Sequence, residues 1–318
     1  MLINNKNTMP RIKKGWTNSD IQIFCMAMLS VVFLLVFSYA PMAGILLAFK
    51  DGDRKLNIIN SLLYSDWIGF KNFKSFLTDP DFKGVFLNTI GLNMLMLLIN
   101  FPAPIIFALL INEVRHSKFK RTIQSITAFP HFISWIVFGG IIIALTDMTT
   151  GIVNPILYFL GISSKTNPIN LGNAEYFWAE IIICSLIKSV GWSSIVYTAA
   201  ITAIEQAMYE AATIDGASRL QKAIYITLPS ITPTIIVFLL LNISRLLGNS
   251  FEQFYTLQNR LNISRSEVLA TYMYKVGIAQ RKYSYAVAMG LFESAISVFL
   301  LTISNALSKK ITGRGLFV

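Results

Sequence analysis

An all-α polytopic membrane protein with six transmembrane helices is the fold class that this 318-residue sequence predicts. Three observations predict it. Apolar residues make up 54% of the chain and charged residues only 14%, against roughly 25% charged in soluble domains. The apolar residues gather into six long runs separated by polar connections. Lys and Arg concentrate in short connections and tails, as they do on the cytoplasmic side of membranes.

The runs cover 21–49, 86–113, 121–145, 177–204, 230–248 and 284–307. Each approaches or exceeds the roughly 20 residues that cross a bilayer as a helix. The first is far longer than the apolar core of about 7–15 residues in a cleaved signal peptide, so a retained helix is expected. A basic tail with Lys6, Arg11, Lys13 and Lys14 precedes it. The connection RHSKFKR (115–121) and the tail with Lys309, Lys310 and Arg314 are equally basic. By density of positive charge, both termini and the 114–121 loop are expected in the cytoplasm, and with six spans so is 205–229. The longer loops 50–85 and 249–283 are mixed in sign and are expected outside. The division is a tail over 1–20, one membrane domain over 21–307, and a tail over 308–318.

Prolines and polar groups complicate the spans. Pro102 and Pro104, Pro130, and Pro229 with Pro233 fall in or beside the second, third and fifth runs. Carbonyls freed by such breaks must be buried in protein or line a cavity. Asn93, Asn100, Lys188, Asn242, Arg245 and Glu293 are costly in lipid and point to a translocation path or a subunit contact. Ahead of the second run, WIGFKNFKSFLTDPDFKGVFLNTI (67–90) alternates aromatic and basic residues. It predicts an interfacial helix with Trp67, Phe70, Phe73 and Phe76 as headgroup anchors.

Several function classes are excluded or weakened. The net charge of +11 is that of a membrane protein with basic cytoplasmic loops in contact with anionic lipid; no nucleic-acid partner is expected. Cys25 and Cys184 sit inside apolar runs and form no disulfide framework or CxxC pair. There is no GxxxxGK[ST] loop and no HExxH pair, so nucleotide hydrolysis by a P-loop of its own and zinc proteolysis are excluded, and no metal site is expected. A distant alternative is an intramembrane serine protease using Ser193, within Gly191-Trp192-Ser193-Ser194. It would need a membrane histidine as base, yet His116 and His131 both precede the serine and none follows it.

The segment 205–229 carries the strongest signal. EQAMYEAATID is helix-forming, with small side chains at Ala207, Ala211 and Ala212 that allow a partner to approach closely. Gly216 supplies a helix stop. A second helical stretch is expected over 217–226, and Pro229 stands where the fifth run begins as a new helix. By spacing alone the segment fits either an ordinary capped connection or a rigid docking element.

Glu210-Ala211-Ala212-Thr213-Ile214-Asp215-Gly216, followed after nine residues by Ile226-Thr227-Leu228-Pro229, matches the EAA loop of the ABC importer permeases. The sequence thus resembles the binding-protein-dependent, type I (MetI-like) permease family. SYAPMAGILLAFKD (38–51), NFPAPIIFALLINEVRHSKFKRTIQSITAFPHFISWIV (100–137) and GNSFEQFYTLQN (248–259) look like its polysaccharide and complex-oligosaccharide, lipoprotein-associated sugar subfamily, related to maltose- and glycerol-phosphate-type permeases. The resemblance implies a six-helix permease whose EAA loop docks on an ATPase. Glu210, Ala211, Ala212, Asp215, Gly216, Ala217, Ile226, Leu228 and Pro229 carry that coupling. It further implies a second homologous permease chain forming a heterodimer, an ABC ATPase dimer, and an extracellular sugar-binding lipoprotein. No cofactor is bound by this chain and no catalytic residue is expected in it; ATP and magnesium belong to the ATPase. An ABC permease for a different solute is the alternative. For the sugar path, aromatic faces with polar edges suit a pyranose. The candidates are Trp192, Tyr197, Asn242, Arg245, Glu252 and Gln253.

Overall fold

A computed structural model describes residues 17–53, 58–164, 168–248 and 251–313. The basic tail residues Lys6, Arg11, Lys13, Lys14 and Arg314 lie outside them. Among the described residues the chain is almost wholly helical, with an isolated antiparallel bridge between Lys50 and Trp67. Five helices are long and apolar enough to cross a membrane: Asn18–Phe49, Pro80–Asn112, Ala174–Thr202, Arg219–Ser244 and Tyr283–Lys310. A bent pair, Ser117–Phe132 with Trp135–Thr146, makes a sixth if counted as one span. Helices suit this setting because they satisfy every backbone polar group within the segment.

Of the described residues, those up to Leu46 form one compact unit and those from Leu47 a second. In the first, Thr17 and Asp20 start the helix with a reciprocal capping box, Thr17 N–H donating to Asp20 Oδ2 at 2.9 Å and Asp20 N–H to Thr17 Oγ1 at 3.3 Å. None of the apolar side chains of Asn18–Leu34 is buried.

The second unit is a bundle whose core falls into three clusters that succeed one another along the second span. Phe82 and Val85 pack with Phe76, Leu247, Tyr272, Tyr285 and Met289. Further along, Leu92 joins Phe138, Phe177, Ile181, Phe254 and Val268. At the other end Ile105 and Ala108 meet Tyr197, Ile201 and Ile231. The second span itself breaks at Phe101–Pro102, since Pro102 has no N–H to continue the ladder.

Three sequence expectations change here. The third run, read as one span over 121–145, is broken. Its helix Ser117–Ala128 passes into a 3₁₀ turn, Phe129–Phe132, containing Pro130. Ile133 is extended, Ser134 caps a new helix by accepting from Val137 N–H at 3.3 Å, and the two arms diverge by 99°. The second change concerns the aromatic stretch. Trp67 and Phe70 stay exposed, but Phe76 is fully buried and Phe73 packs on the same core, so these two rings are core rather than headgroup anchors. The hydrophobic cluster behind the short helix Lys71–Leu77 competes successfully with the interface for them. The third change, in 217–226, is described below.

Two carboxylates fasten the loops to the start of the sixth span. Asp53 accepts from Ser284 N–H at 2.8 Å and Tyr285 N–H at 3.4 Å, so a distant residue caps that helix. Burial pushes the Asp53 carboxyl upward, against the lowering effect of those two donors. Asp79 accepts from the Tyr285 hydroxyl at 2.7 Å and the Tyr272 hydroxyl at 3.2 Å. Burial works upward on Asp79 too, but the Tyr285 hydroxyl, the Asp81 N–H and the Tyr272 hydroxyl outweigh it and hold the carboxyl below its usual range.

Candidate coupling segment and central cavity

The coupling segment is built from local rules. Gln206–Ile214 is one short helix, and it ends in a Schellman motif. Ala217 N–H donates to Ala212 O at 2.9 Å and Gly216 N–H to Thr213 O at 3.1 Å. Gly216 has φ +76°, the left-handed region that glycine enters without a Cβ penalty. Ser218 then opens the return arm with a capping box: its Oγ accepts from Gln221 N–H at 3.3 Å, and Gln221 Oε1 accepts from Ser218 N–H at 2.7 Å.

The return arm is not a separate short helix, as 217–226 was expected to be. Arg219–Lys222 runs through a π turn, Ala223–Thr227, straight into Leu228–Ser244. Pro229 does not start a new helix: the π turn ahead of it accommodates the missing N–H within a continuous one. The two arms are cross-braced. The Tyr209 and Thr227 hydroxyls share a hydrogen bond of 2.8 Å, and Lys222 Nζ donates to Thr213 Oγ1 at 2.7 Å. Arg219 pairs with Glu113 at 3.7 Å, which puts the end of the second span on the same face as the hairpin.

The EAA-type residues fall in two places. Glu210, Ala211, Asp215 and Gly216 are exposed on the first arm and bend, while Ala212 and Ala217 are half-buried. Ala212, Asp215, Gly216, Ala217 and Ile226 line a shallow cleft between the arms, together with Gln221, Lys222 and Tyr225. Leu228 instead turns inward, onto the cluster around Tyr197 and Ile231, and Pro229 lies exposed one position beyond it. Ile214 is 87% exposed, Tyr225 75% and Leu220 69%, an apolar presentation at a bundle end that the spans leave uncovered.

A cavity of about 550 Å³ lies within the bundle between the second, fourth and fifth spans. Trp192, Tyr197, Asn242, Arg245 and Gln253 all line it; Glu252 does not, and lies near enough to Lys188 for an electrostatic interaction. The remaining wall includes Asn93, Asn100, Phe101, Ser185, Ser189, Ser193 and Phe238. Asn93 Nδ2 donates to Leu246 O at 2.6 Å and Asn242 Nδ2 to Phe238 O at 2.8 Å. Asn100 Oδ1 and Gln253 Nε2 are buried and have no hydrogen-bond partner among the described residues. Each such atom costs about 1–3 kcal/mol unless something polar meets it. Arg245 is the one charged residue of the wall and forms no ion pair among the described residues.

The serines at 185, 189 and 193 escaped the sequence reading as path residues, although their spacing of four puts them on one helix face. Ser193 has no hydrogen bond to either histidine among the described residues; the His131 ring stacks on Trp192 instead, at 4.8 Å.

Residues 100–313 match the model of the binding-protein-dependent transport system inner membrane component. The chain belongs to this family. The protein is therefore the permease component of a binding-protein-dependent transport system and a multi-pass protein of the cell membrane. The permease is 40% identical to Protein LplB of Bacillus subtilis (strain 168) over 298 residues, covering 94% of this chain and 92% of the relative. To YteP of the same organism, a polygalacturonan/rhamnogalacturonan transport system permease protein, identity is 38%, covering 93% of this chain and 90% of that one. Among solved structures, a chain of a bacterial ABC transporter that imports the acidic polysaccharide alginate superposes with TM-score 0.83 at 33% identity, covering 92% of this chain and 97% of that one. A second structure of the bacterial alginate ABC transporter, in complex with an alginate pentasaccharide-bound periplasmic protein, gives TM-score 0.83 at 32% identity, covering 94% of this chain and 97% of that one. This likeness extends over the MetI-like permease fold as a whole.

Proposed function

We propose that this permease imports an oligosaccharide, released by an extracellular binding lipoprotein into the central cavity and driven by ATP hydrolysis in a separate ABC ATPase dimer. The observation that carries the coupling half is the braced hairpin at 205–229, whose exposed first arm is continuous in force, through its return arm, with the fifth span. An ATPase gripping Glu210, Ala211, Ala212, Asp215, Gly216 and Ala217 moves the arm and span together, because the Schellman bend and the two cross-braces resist flexing between them. Ile226 closes the cleft from the return arm, while Leu228 and Pro229 fix the root of the lever rather than meeting the partner. ATP binding draws two such hairpins together, this one and that of a second homologous permease, and turns the cavity outward; ADP release returns it inward. Both termini lie in the cytoplasm in this reading, and the chain needs no cofactor of its own.

The cavity wall supports a sugar. Trp192 and Tyr197 offer aromatic faces for pyranose C–H surfaces, and Asn93, Asn100, Asn242 and Gln253 offer hydroxyl-binding edges, two of them with unpartnered buried atoms. The unpaired Arg245 suits a carboxylated sugar unit.

Reconstitution of the permease with its genomic partners in liposomes tests this reading. Uptake and substrate-stimulated ATP hydrolysis are measured with alginate, galacturonan, arabinan and galactan oligosaccharides. At least one is expected to enter and to stimulate hydrolysis, with Trp192→Ala or Asn242→Ala raising its apparent KM. Absence of a co-purifying ATPase, or intact transport by Gly216→Pro, overturns the coupling assignment. Unchanged uptake by both Trp192→Ala and Asn242→Ala overturns the cavity assignment.

A further inference from the structure

Lys188 lies in the middle of the fourth span and is only 6% exposed. An ammonium group is costly at such a position unless it is fully hydrogen-bonded. Its three N–H donors meet three backbone carbonyls: Pro130 O and His131 O, each at 3.1 Å, and Ile133 O. The acceptors belong to the corner of the broken third span, where the 3₁₀ turn ends and Ile133 is extended; Pro130 O also accepts from Ile133 N–H at 3.3 Å, and Lys188 supplies a further donor to it. Rings of Trp135 and Phe138, on the far arm of that corner, stand 5.3 and 5.9 Å from the same nitrogen.

The contact is close because Gly191, one turn further along, has no side chain. A Cβ there would collide with the carbonyl group of Thr127, at the end of the near arm. The next residue, Trp192, stacks on His131 with ring centroids 4.8 Å apart and planes 4° from parallel. Trp192 also faces the cavity. One face of the fourth span therefore grips the corner at three successive points, and the last of them is part of the cavity wall.

We propose that Lys188 is a positioning residue of the transport pathway: by capping the corner of the third span it holds His131, and through the stacked ring it sets Trp192 against the transported sugar. The proposal rests on the reading of the cavity as the sugar path. It predicts that removing the ammonium disturbs recognition, where a purely architectural lysine would alter only the amount of assembled complex and the maximal rate.

The test uses the complete complex in liposomes and whichever of the four oligosaccharides gives the highest uptake. Lys188→Met is expected to raise the apparent KM about tenfold at matched amounts of assembled complex, equivalent to about 1.4 kcal/mol of lost binding. Lys188→Arg, which keeps donors for the carbonyls, is expected to recover most of the loss. Combining Lys188→Met with Trp192→Ala should give little more than Trp192→Ala alone, since both act on one wall. An unchanged KM for Lys188→Met, or effects that multiply in the double variant, overturns the proposal. If Lys188→Met does not assemble, His131→Ala decides, because it deletes the stacked ring and leaves the three carbonyls capped. A KM raised at least about threefold supports the proposal, and a KM equal to wild type overturns it. Trp192→Ala separates the two levels: a normal KM there and for Asn242→Ala removes the cavity reading itself, a normal KM for Trp192→Ala alone overturns this proposal, and a raised KM for Trp192→Ala beside a normal Lys188→Met removes only the role of Lys188.

Discussion

The hairpin at 205–229 and the corner of the third span at 128–134 are both abrupt reversals of the chain, yet they are held in opposite ways. In the hairpin the bend and its braces are local. Gly216, the Ser218 box, Tyr209–Thr227 and Lys222–Thr213 all connect residues within 18 positions of one another. The corner has local bonds too, from Ile133 N–H to Pro130 O and from Val137 N–H to Ser134 Oγ, but three further hydrogen bonds come from Lys188, 55 to 58 positions away, and the close approach comes from Gly191. The hairpin's bend and braces need only its own residues, whereas the corner is also braced by the fourth span packed against it. A local bend can therefore act as a rigid handle, and a bend held from afar reports on the packing of its neighbour.

The comparison can be broken most forcefully at the two glycines. Gly216→Pro forbids φ +76° and is expected to abolish substrate-stimulated ATP hydrolysis while the spans still assemble, as measured by ATPase assay on purified complex. Gly191→Val places side-chain atoms on the Thr127 carbonyl. It is expected to destabilise the permease itself by about 3 kcal/mol, read as a lost or lowered thermal midpoint in detergent. Should Gly191→Val prove silent, the fourth span does not grip the corner as described. A smaller effect is expected of Tyr209→Phe, which removes one cross-brace at about 1 kcal/mol and should reduce stimulated hydrolysis only partially.

The smallest effects sharpen a second contrast, between the two carboxylates that fasten the loops. Asp79 has a lowered pKa, so its contribution is present above the ordinary carboxylate value and is lost as pH falls through the lowered one. Asp53 has a raised pKa, so its contribution is present at low pH and is lost as pH rises through the raised value. Asp79→Asn should therefore lower the thermal midpoint at pH 7 by about 2 °C, a difference that shrinks below about pH 4. Asp53→Asn, whose amide oxygen still accepts from Ser284 and Tyr285, should leave or slightly raise the midpoint at pH 7. Midpoints measured from pH 3 to 8 on both variants would expose a reversed order.

How much of this was legible in the sequence follows the same local–distant division. Six apolar runs are visible because lipid requires about 20 apolar residues per span, whatever the tertiary contacts. The bend at Gly216 is visible because a glycine followed by a capping serine is a short-range signal. That the return arm continues through Pro229 is not, since a π turn can absorb a missing N–H and no residue type announces one. Pro130 marked a break in the third run but not its 99° angle, at a corner that Lys188 and Gly191 of the distant fourth span pack against. For the cavity, residue chemistry pointed to Trp192, Tyr197, Asn242, Arg245 and Gln253 sharing a wall, while Glu252, adjacent in sequence to Gln253, lies outside it. Helical rotation of one residue moves a side chain by about 100°, so composition cannot separate such neighbours.

The hairpin's near self-sufficiency has a consequence for how such transporters can be rewired. Apart from the Arg219–Glu113 pair, the contacts described for the bend and its braces fall inside 205–229. A segment folded by its own residues can be exchanged as a cassette. On the proposed coupling, grafting the corresponding stretch of a relative, with its match to Glu113 preserved, is expected to change which ATPase the permease accepts and to leave the cavity untouched. The corner around Pro130 offers no such freedom, because moving it means moving the fourth span as well.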